Sequence, residues 1–317
     1  MKQNKFPRPK QAVSLGKLMD IEFPADISLL GNMILKKSIG MIAGPRGGGK
    51  SWLAMIIAYA IAAAKPLHPW GWGTAAPVVY LDGEMRAKGL QERFKLIHSK
   101  NTTPDETALT NLKIISRDHF GETIGSIDDP LGQQALDALL PDNMALLIID
   151  NLSAWTSGGR EDANAWATIK TWLIDKRLQG VAVLIIHHTG KGGQQRGTSA
   201  HEDLLDYSIL LSVLPGNPDL HETCFSIEHT KIRDYIPELR KSYVCSITTI
   251  NEIWDFVITA QGATLTEKEE TVLRLKNEGK SDTEIAKSLK VDKSTVGRWL
   301  KKIKIIQDSV EGVATKT

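Results

Sequence analysis

The residues with the clearest chemistry form one short run, GPRGGGKS, at positions 44–51. The run fits the pattern G-x-x-x-x-G-K-[ST] at every position. Glycines let consecutive backbone N–H groups turn toward phosphate oxygens, the lysine reaches the β- and γ-phosphates, and the hydroxyl that follows binds Mg²⁺. The sequence therefore predicts a cradle for a nucleoside triphosphate, made of Gly44, Pro45, Arg46, Gly47, Gly48, Gly49, Lys50 and Ser51.

Two acidic residues follow apolar runs and complete the expected site. Asp150 closes the run ALLIID, which predicts the carboxyl end of a buried strand, where ligands bind in open α/β sheets. We expect Asp150 to hold Mg²⁺ together with Ser51, through a water molecule. Glu84 lies in VVYLDGEM, just past another predicted strand, where a carboxylate can act as general base on the attacking water. Asp82 is the rival for that role.

The elements that must position these residues follow from the hydrophobic pattern. Between residues 38 and 186, short β-branched runs alternate with helix-length segments, which indicates βαβ units and a parallel sheet buried on both faces. Four further strands after Leu204 are predicted to extend the same sheet as antiparallel pairs. The predicted strands are 39–43, 78–81, 112–115, 146–149, 181–186, 207–214, 224–230, 242–249 and 253–258, and the predicted helices are 51–64, 87–99, 131–140 and 162–178.

Composition places the chain among ordinary globular proteins. It has 317 residues, a net charge of +2, 42% hydrophobic and 24% charged residues. No apolar run approaches the ~20 residues that span a bilayer, and the basic N-terminus has no apolar stretch behind it. Cys224 and Cys245 read as core thiols. We therefore expect a cytoplasmic protein without a membrane partner.

Charge is concentrated near the C-terminus. The segment from Asp292 to Lys304 contains five basic residues and one acidic residue. Its net charge is +4, which leaves a net charge of −2 for the rest of the chain. Three amphipathic helices are predicted at 267–277, 282–289 and 293–303. Gly279 ends the first helix, and Ser281 with Glu284 forms a capping box for the second. The pattern predicts a small all-α unit with a basic face.

These boundaries divide the chain into four parts. We expect an N-terminal arm at 1–28, an α/β nucleotide-binding domain at 29–262, a helical domain at 263–307 and a tail at 308–317.

Over about residues 29–256 the chain resembles RecA-like motor ATPases, and among them the RepA-type hexameric replicative helicases of plasmids. The resemblance is carried by GPRGGGKS, YLDGEM, LLIIDN, IIHHTGK, RGTSAHEDLLD and IEHTKIRDY, in this order. It implies a RecA-like core, hydrolysis of ATP with Mg²⁺, assembly into a homo-oligomer such as a hexameric ring, and DNA as a partner.

The resemblance also implies roles for residues outside the phosphate loop. His188 matches the residue that senses the γ-phosphate, and the segment after it would face a channel for nucleic acid, with Lys191 as its charged residue. Arg196 matches a finger that reaches the ATP of a neighbouring subunit. A second basic contact to that ATP falls on Lys231 or Arg233, with the choice open.

The C-terminal segment resembles a helix-turn-helix of the kind appended to bacterial regulators, with Lys290 where a turn glycine is common. A recognition helix starting near Lys293 is implied. The groove contacts would be Lys293, Ser294, Thr295 and Arg298, and the phosphate contacts Lys301 and Lys302. The alternative is a protein-interaction domain with a solvated basic face.

Two functions fit these features. One is an ATP-driven DNA motor, a helicase or helicase-like factor in replication of a mobile element. The other is an ATP-switched DNA-binding regulator that does not translocate. The scarcity of basic and aromatic residues in 190–195 favours the second function, because channel loops grip phosphates or stack bases.

Overall fold

The computed structural model describes residues 12–100, 106–121, 124–157, 163–189, 203–216, 222–233, 236–250, 253–261 and 267–314. The strands are β1 (Ser28–Leu30), β2 (Ile34–Leu35), β3 (Ile39–Gly44), β4 (Pro66–Leu67), β5 (Gly71–Trp72), β6 (Val78–Asp82), β7 (Leu112–Ser116), β8 (Leu146–Asp150), β9 (Ala182–His188), β10 (Tyr207–Leu214), β11 (Glu222–Ile232), β12 (Tyr243–Ile250) and β13 (Ile253–Ala260). The helices are α1 (Leu15–Met19), α2 (Lys50–Ala62), α3 (Ala87–Ser99), α4 (Glu106–Asn111), α5 (Arg117–Phe120), α6 (Pro130–Asp137), α7 (Ala163–Leu178), α8 (Glu267–Asn277), α9 (Asp282–Leu289) and α10 (Lys293–Ala314).

One large sheet organises the molecule. Its order among the described strands is β13-β12-β11-β10-β3-β9-β8-β6-β7. The strands from β10 to β7 run parallel, and β11, β12 and β13 are added as antiparallel neighbours. The predicted α/β class, with a parallel sheet extended by antiparallel strands, is confirmed.

The parallel part of the sheet is buried on both faces. Successive residues of β8, such as Leu147 and Ile148, are fully buried but belong to different apolar clusters, because side chains alternate between the faces of a strand. Helices α2, α3 and α4 pack on one face, and α6 and α7 pack on the other. This double burial explains why the parallel strands read as continuous apolar runs.

Some elements differ from the prediction. Residues 66–77, for which no strand is predicted, contain the short β4–β5 hairpin, which pairs Pro66 with Trp72. The arm at 1–28 includes the five-residue helix α1. Helix α10 continues to Ala314 and so passes both its predicted end at 303 and the expected tail boundary at 307/308.

Helices α8, α9 and α10 share a small apolar core at the C-terminus. Its buried members are Val272, Leu275, Ile285, Ala286, Val296 and Ile303. The predicted capping box is present, since the Ser281 side chain and the Glu284 side chain each bond the other residue's backbone N–H. Lys290 closes α9 in the left-handed conformation, at φ 53°, which is a position that favours glycine.

In the part of the chain that the structure describes, no helix is both long and apolar enough to cross a membrane.

Candidate nucleotide site

The GPRGGGKS run forms a tight loop between β3 and α2. The N–H of Gly48 donates to the carbonyl of Pro45 at 3.1 Å. Gly47 and Gly49 have positive φ, 74° and 81°, a region that side chains with a Cβ rarely adopt. At Gly49 a Cβ would also lie 2.2 Å from the ring of Phe225. Conformation therefore favours glycine at position 47, and both conformation and space favour it at position 49.

The amino end of α2 is built to receive an anion. Its cap residue, Gly49, has no side chain to accept from the N–H groups of the first helical turn, and these groups carry the positive end of the helix dipole. Lys50, in the same turn, is 4% exposed and its ammonium donates to the carbonyl of Pro45 at 2.6 Å. Burial lowers the pKa of Lys50 to about 8, although Asp150 and Glu84 favour its charged form.

Asp150 lies at the carboxyl end of β8, as predicted. Its carboxyl group accepts hydrogen bonds from the hydroxyls of Tyr80 and Ser51. Burial raises the pKa of Asp150 because the charged form loses water. A buried carboxyl beside a serine hydroxyl offers two oxygen ligands of the kind that Mg²⁺ prefers. Ser51 and Asp150 therefore fit a magnesium ion, directly or through water, at the phosphate loop.

The two candidates for general base differ in exposure. Asp82 is 1% exposed and pairs in register with Asp150 on the neighbouring strand. Its carboxyl group accepts from the N–H of Met85 at 3.2 Å, and burial, reinforced by Asp150, raises its pKa to about 7. The Glu84 side chain is 51% exposed. Water can reach Glu84 but not Asp82, so the geometry favours Glu84 as the base.

His188 joins this edge of the sheet through β9. It pairs in register with Gly44, at the start of the phosphate loop. Its Nε2 atom lies 3.4 Å from Oε1 of Glu84 and 2.9 Å from Nδ2 of Asn151. The pKa of His188 is lowered, first by burial and then by the charge of Lys50. The structure thus brings Lys50, Ser51, Glu84, Asp150 and His188 to one edge, as the sequence predicted.

Sequence reasoning missed Tyr80 and Asn151. Tyr80 lies inside β6 and contacts Asp150 of the adjacent strand β8, so this contact depends on the strand order. Asn151 directly follows Asp150 in LLIIDN, and this position next to a predicted magnesium ligand could have marked it as a site residue.

Of the two candidates for the second basic contact, Arg233 lies near the amino end of β3, away from the phosphate loop. Arg233 forms an ion pair with Asp206 at 2.9 Å, and the same carboxyl group accepts from the N–H of Ile39, the first residue of β3. β3 spans six residues, or roughly 20 Å at ~3.3 Å per residue, and the phosphate loop follows its other end. Arg233 therefore cannot contact the nucleotide of its own chain. Lys231, the other candidate, lies in β11 and pairs in register with Ser208 of β10.

Arg196, the first finger candidate, and Lys191, the channel candidate, both lie outside the described residues.

The basic residues of α10 fall into two groups, which corrects part of the prediction. Lys301 contacts Asp255 of β13 at 3.7 Å, and Lys302 contacts the buried Glu269 of α8 at 2.7 Å. Burial lowers the pKa of Lys301. These two lysines face the protein because that side of α10 packs on α8 and the sheet, so they are not open phosphate contacts.

The other group remains at the surface. Lys293, Ser294 and Arg298 are exposed, and Thr295 is half-buried and accepts from Arg298 at 3.0 Å. The exposed basic surface is therefore the first part of α10.

The fold and this site together define a class. A mainly parallel sheet carries helices on both faces, and the phosphate loop follows a strand that lies two places from the strand ending in Asp150. These features define a RecA-like P-loop ATPase. The chain belongs to the AAA_25 family, described as an AAA domain, which matches residues 4–194.

Solved structures that resemble the chain include a KaiC-like protein from Pyrococcus horikoshii OT3, with a TM-score of 0.47, 17% identity, and 73% of this chain and 93% of that chain covered. The RadB recombinase gives a TM-score of 0.46, 15% identity, and coverages of 69% and 89%. The flagellar accessory protein FlaH from Methanocaldococcus jannaschii gives 0.48, 10%, 71% and 91%. A search of curated proteins finds no significant match.

Proposed function

We propose that this ATPase is a DNA motor, a helicase or helicase-like replication factor of a mobile element, related to the RepA-type hexameric helicases. The observation that carries the ATPase chemistry is the meeting of Lys50, Ser51, Asp150, Glu84 and His188 at one sheet edge. The ordered motifs of the RepA-type family and the exposed basic start of α10 support DNA as the partner.

The geometry of this edge supports a mechanism for hydrolysis. The N–H groups at the start of α2 and the Lys50 ammonium hold the β- and γ-phosphates. The oxygen of a water molecule bonds to the γ-phosphorus while Glu84 takes a proton from that water molecule. At the same time the bond from the γ-phosphorus to the bridging oxygen breaks, and ADP leaves. A magnesium ion held by Ser51 and Asp150 would neutralise the charge on the phosphate oxygens. We assign to His188 the role of sensing the γ-phosphate.

Assembly would complete the site. Arg196 is proposed to reach the nucleotide of a neighbouring copy, as arginine fingers do in oligomeric ATPases. Arg233 lies far from the phosphate loop of its own chain, so it could contact only the nucleotide of a neighbouring copy.

A mixture of two inactive variants tests this arrangement. In a mixed oligomer, a Lys50→Ala subunit can supply Arg196 to the intact phosphate loop of an Arg196→Ala subunit. Some ATPase activity should then return. If mixed oligomers form but show no activity at any ratio, the trans role is wrong. The control is a titration of wild-type subunits into each variant. Activity that rises in proportion to the wild-type subunits shows that a single intact site is active in the oligomer.

We assign DNA binding to the helical domain at 263–307, as a helix-turn-helix with contacts at Lys293, Ser294, Thr295 and Arg298. Ion pairs remove Lys301 and Lys302 from this set. The alternative of a protein-interaction domain predicts that a chain cut after residue 263 binds duplex DNA as well as the full chain does.

A strand-displacement assay on forked DNA separates the two candidate functions. A motor displaces the strand with ATP and Mg²⁺, and Glu84→Gln abolishes displacement. An ATP-switched regulator binds a specific duplex in a nucleotide-dependent way but displaces nothing. The single charged residue within 190–195, Lys191, is the observation that favours this second candidate.

A further inference from the structure

The side chain of Asn151 has a fixed orientation. Asn151 caps the short 3-10 turn Leu152–Trp155, and its Oδ1 accepts from the N–H of Ala154 at 3.1 Å and from the Ser153 hydroxyl at 2.6 Å. A backbone N–H can only donate, so the atom facing Ala154 must be the amide oxygen. The amide nitrogen therefore points the other way.

That nitrogen faces His188. The distance from Nδ2 of Asn151 to Nε2 of His188 is 2.9 Å. An amide NH₂ group only donates, so Nε2 accepts, and a neutral imidazole that accepts at Nε2 carries its proton on Nδ1. Among the described residues, Nδ1 is buried without a hydrogen-bond partner. Among the described contacts of the ring, the hydrogen bond from Asn151 to Nε2 is therefore the one that favours this tautomer.

The tautomer decides how His188 meets Glu84. Oε1 of Glu84 lies 3.4 Å from the same Nε2 atom. When Nε2 carries a lone pair it has no proton to give, so His188 does not tie up the carboxylate. With a proton on Nε2, His188 would donate to Glu84 and weaken it as an acceptor.

We propose that Asn151 is a positioning residue, which holds neutral His188 in the Nδ1–H tautomer and so keeps the Glu84 carboxylate free to accept a proton from water. This inference rests on the proposed role of Glu84 as general base.

The tautomer can be measured without any assay of activity. The full chain, labelled with ¹⁵N-histidine, gives long-range ¹H–¹⁵N correlations that distinguish the protonated ring nitrogen, and His188→Gln assigns the signal. In wild type at pH 8 we expect the proton on Nδ1. In Asn151→Asp, which retains a capping oxygen but offers an acceptor to the ring, Nε2 should carry a proton. A proton on Nε2 in wild type, or none on Nε2 in the variant, overturns the proposal.

Steady-state ATPase kinetics test the consequence. Asn151→Asp should lower kcat about tenfold or more, a part of the ~10²–10⁴ that a general base contributes, and change KM for ATP less than about twofold. Ser153→Ala is the matched control, because it removes one partner of Oδ1 but leaves Nδ2 in place, and it should retain kcat. A residue that only caps the turn would tolerate aspartate with full kcat.

The two readouts separate this inference from the proposed function. An Asn151→Asp variant with the shifted tautomer but full kcat overturns the positioning role. If Glu84→Gln turns over ATP normally, the base assignment fails, and the positioning role fails with it, whereas the tautomer remains measurable by NMR.

Discussion

Lysines with limited exposure occur at the phosphate loop and in the C-terminal helices, and their surroundings differ. At the phosphate loop, Lys50 is 4% exposed and its ammonium donates to the carbonyl oxygen of Pro45, while Asp150 and Glu84 act on it through their charges. In the C-terminal helices, Lys301 and Lys302 each contact a carboxylate. The phosphate loop has helix N–H groups without a side-chain cap, whereas the two lysines of α10 lie beside carboxylates.

The difference separates a binding site from a structural contact. A lysine whose charge is compensated by a neighbour has little to gain from a phosphate, because the existing pair must first be broken. A lysine beside uncapped helix N–H groups gains a strong charge-assisted contact when phosphate arrives. The number of basic residues in GRWLKKIK therefore overestimates the exposed basic surface that α10 can present to DNA.

The largest effect is expected at the phosphate-loop edge. Glu84→Gln should lower kcat for ATP by about 10²–10⁴-fold, since the amide cannot take the proton from water, and should leave nucleotide and DNA binding intact. Stopped-flow binding with a fluorescent ATP analogue, next to a phosphate-release assay, measures both. Full turnover in this variant would move the base to Asp82.

The next effect tests the two groups of basic residues in α10. Lys293→Ala and Arg298→Ala should weaken duplex binding by about threefold to thirtyfold each and reduce the salt dependence by about one counterion per residue. Lys301→Ala, the matched variant at a lysine that lies beside a carboxylate, should leave both values near wild type. Fluorescence anisotropy across a salt series measures this. Equal losses in all three variants would show that the ion pair of Lys301 opens on DNA.

A third effect concerns stability against pH. The folded pKa of Asp82 is raised to about 7 from 3.8, so ionising it costs free energy in the folded state, and stability falls as pH rises from about 4 to 7. Asp82→Asn removes that cost and should be more stable than wild type by roughly 2–4 kcal/mol above pH 7 and equal near pH 4. Urea unfolding at both values measures it, and the same difference at both would point to packing.

The smallest effect tests a closed ion pair. Lys302→Ala should lower the free energy of unfolding by about 1–2 kcal/mol, because Glu269, 3% exposed, loses a charged partner. Glu269→Gln in the same chain should recover part of the loss, since a neutral amide costs less to bury. Differential scanning calorimetry reads both, and a gain in duplex affinity for Lys302→Ala is not expected.

Much of the fold could be read from local patterns. Apolar runs of β-branched residues predicted the parallel strands to within one or two residues, because a strand buried on both faces needs no polar positions. The capping box at Ser281 and Glu284 was equally local, since its partners are three residues apart. The β4–β5 hairpin was missed because strands of two residues have no periodicity.

The sequence by itself determined the phosphate loop, because its eight residues are consecutive and two of its glycines, Gly47 and Gly49, adopt the positive φ that favours glycine. It also determined that Asp150, Glu84 and His188 follow strands, and parallel strands bring their carboxyl ends to one edge. Only the tertiary structure decided which carboxylate water can reach, that Tyr80 and Asn151 hold Asp150 and His188, that Arg233 lies far from its own phosphate loop, and which lysines of α10 are free. These outcomes depend on burial and on contacts between residues distant in the chain, which residue type and spacing do not encode.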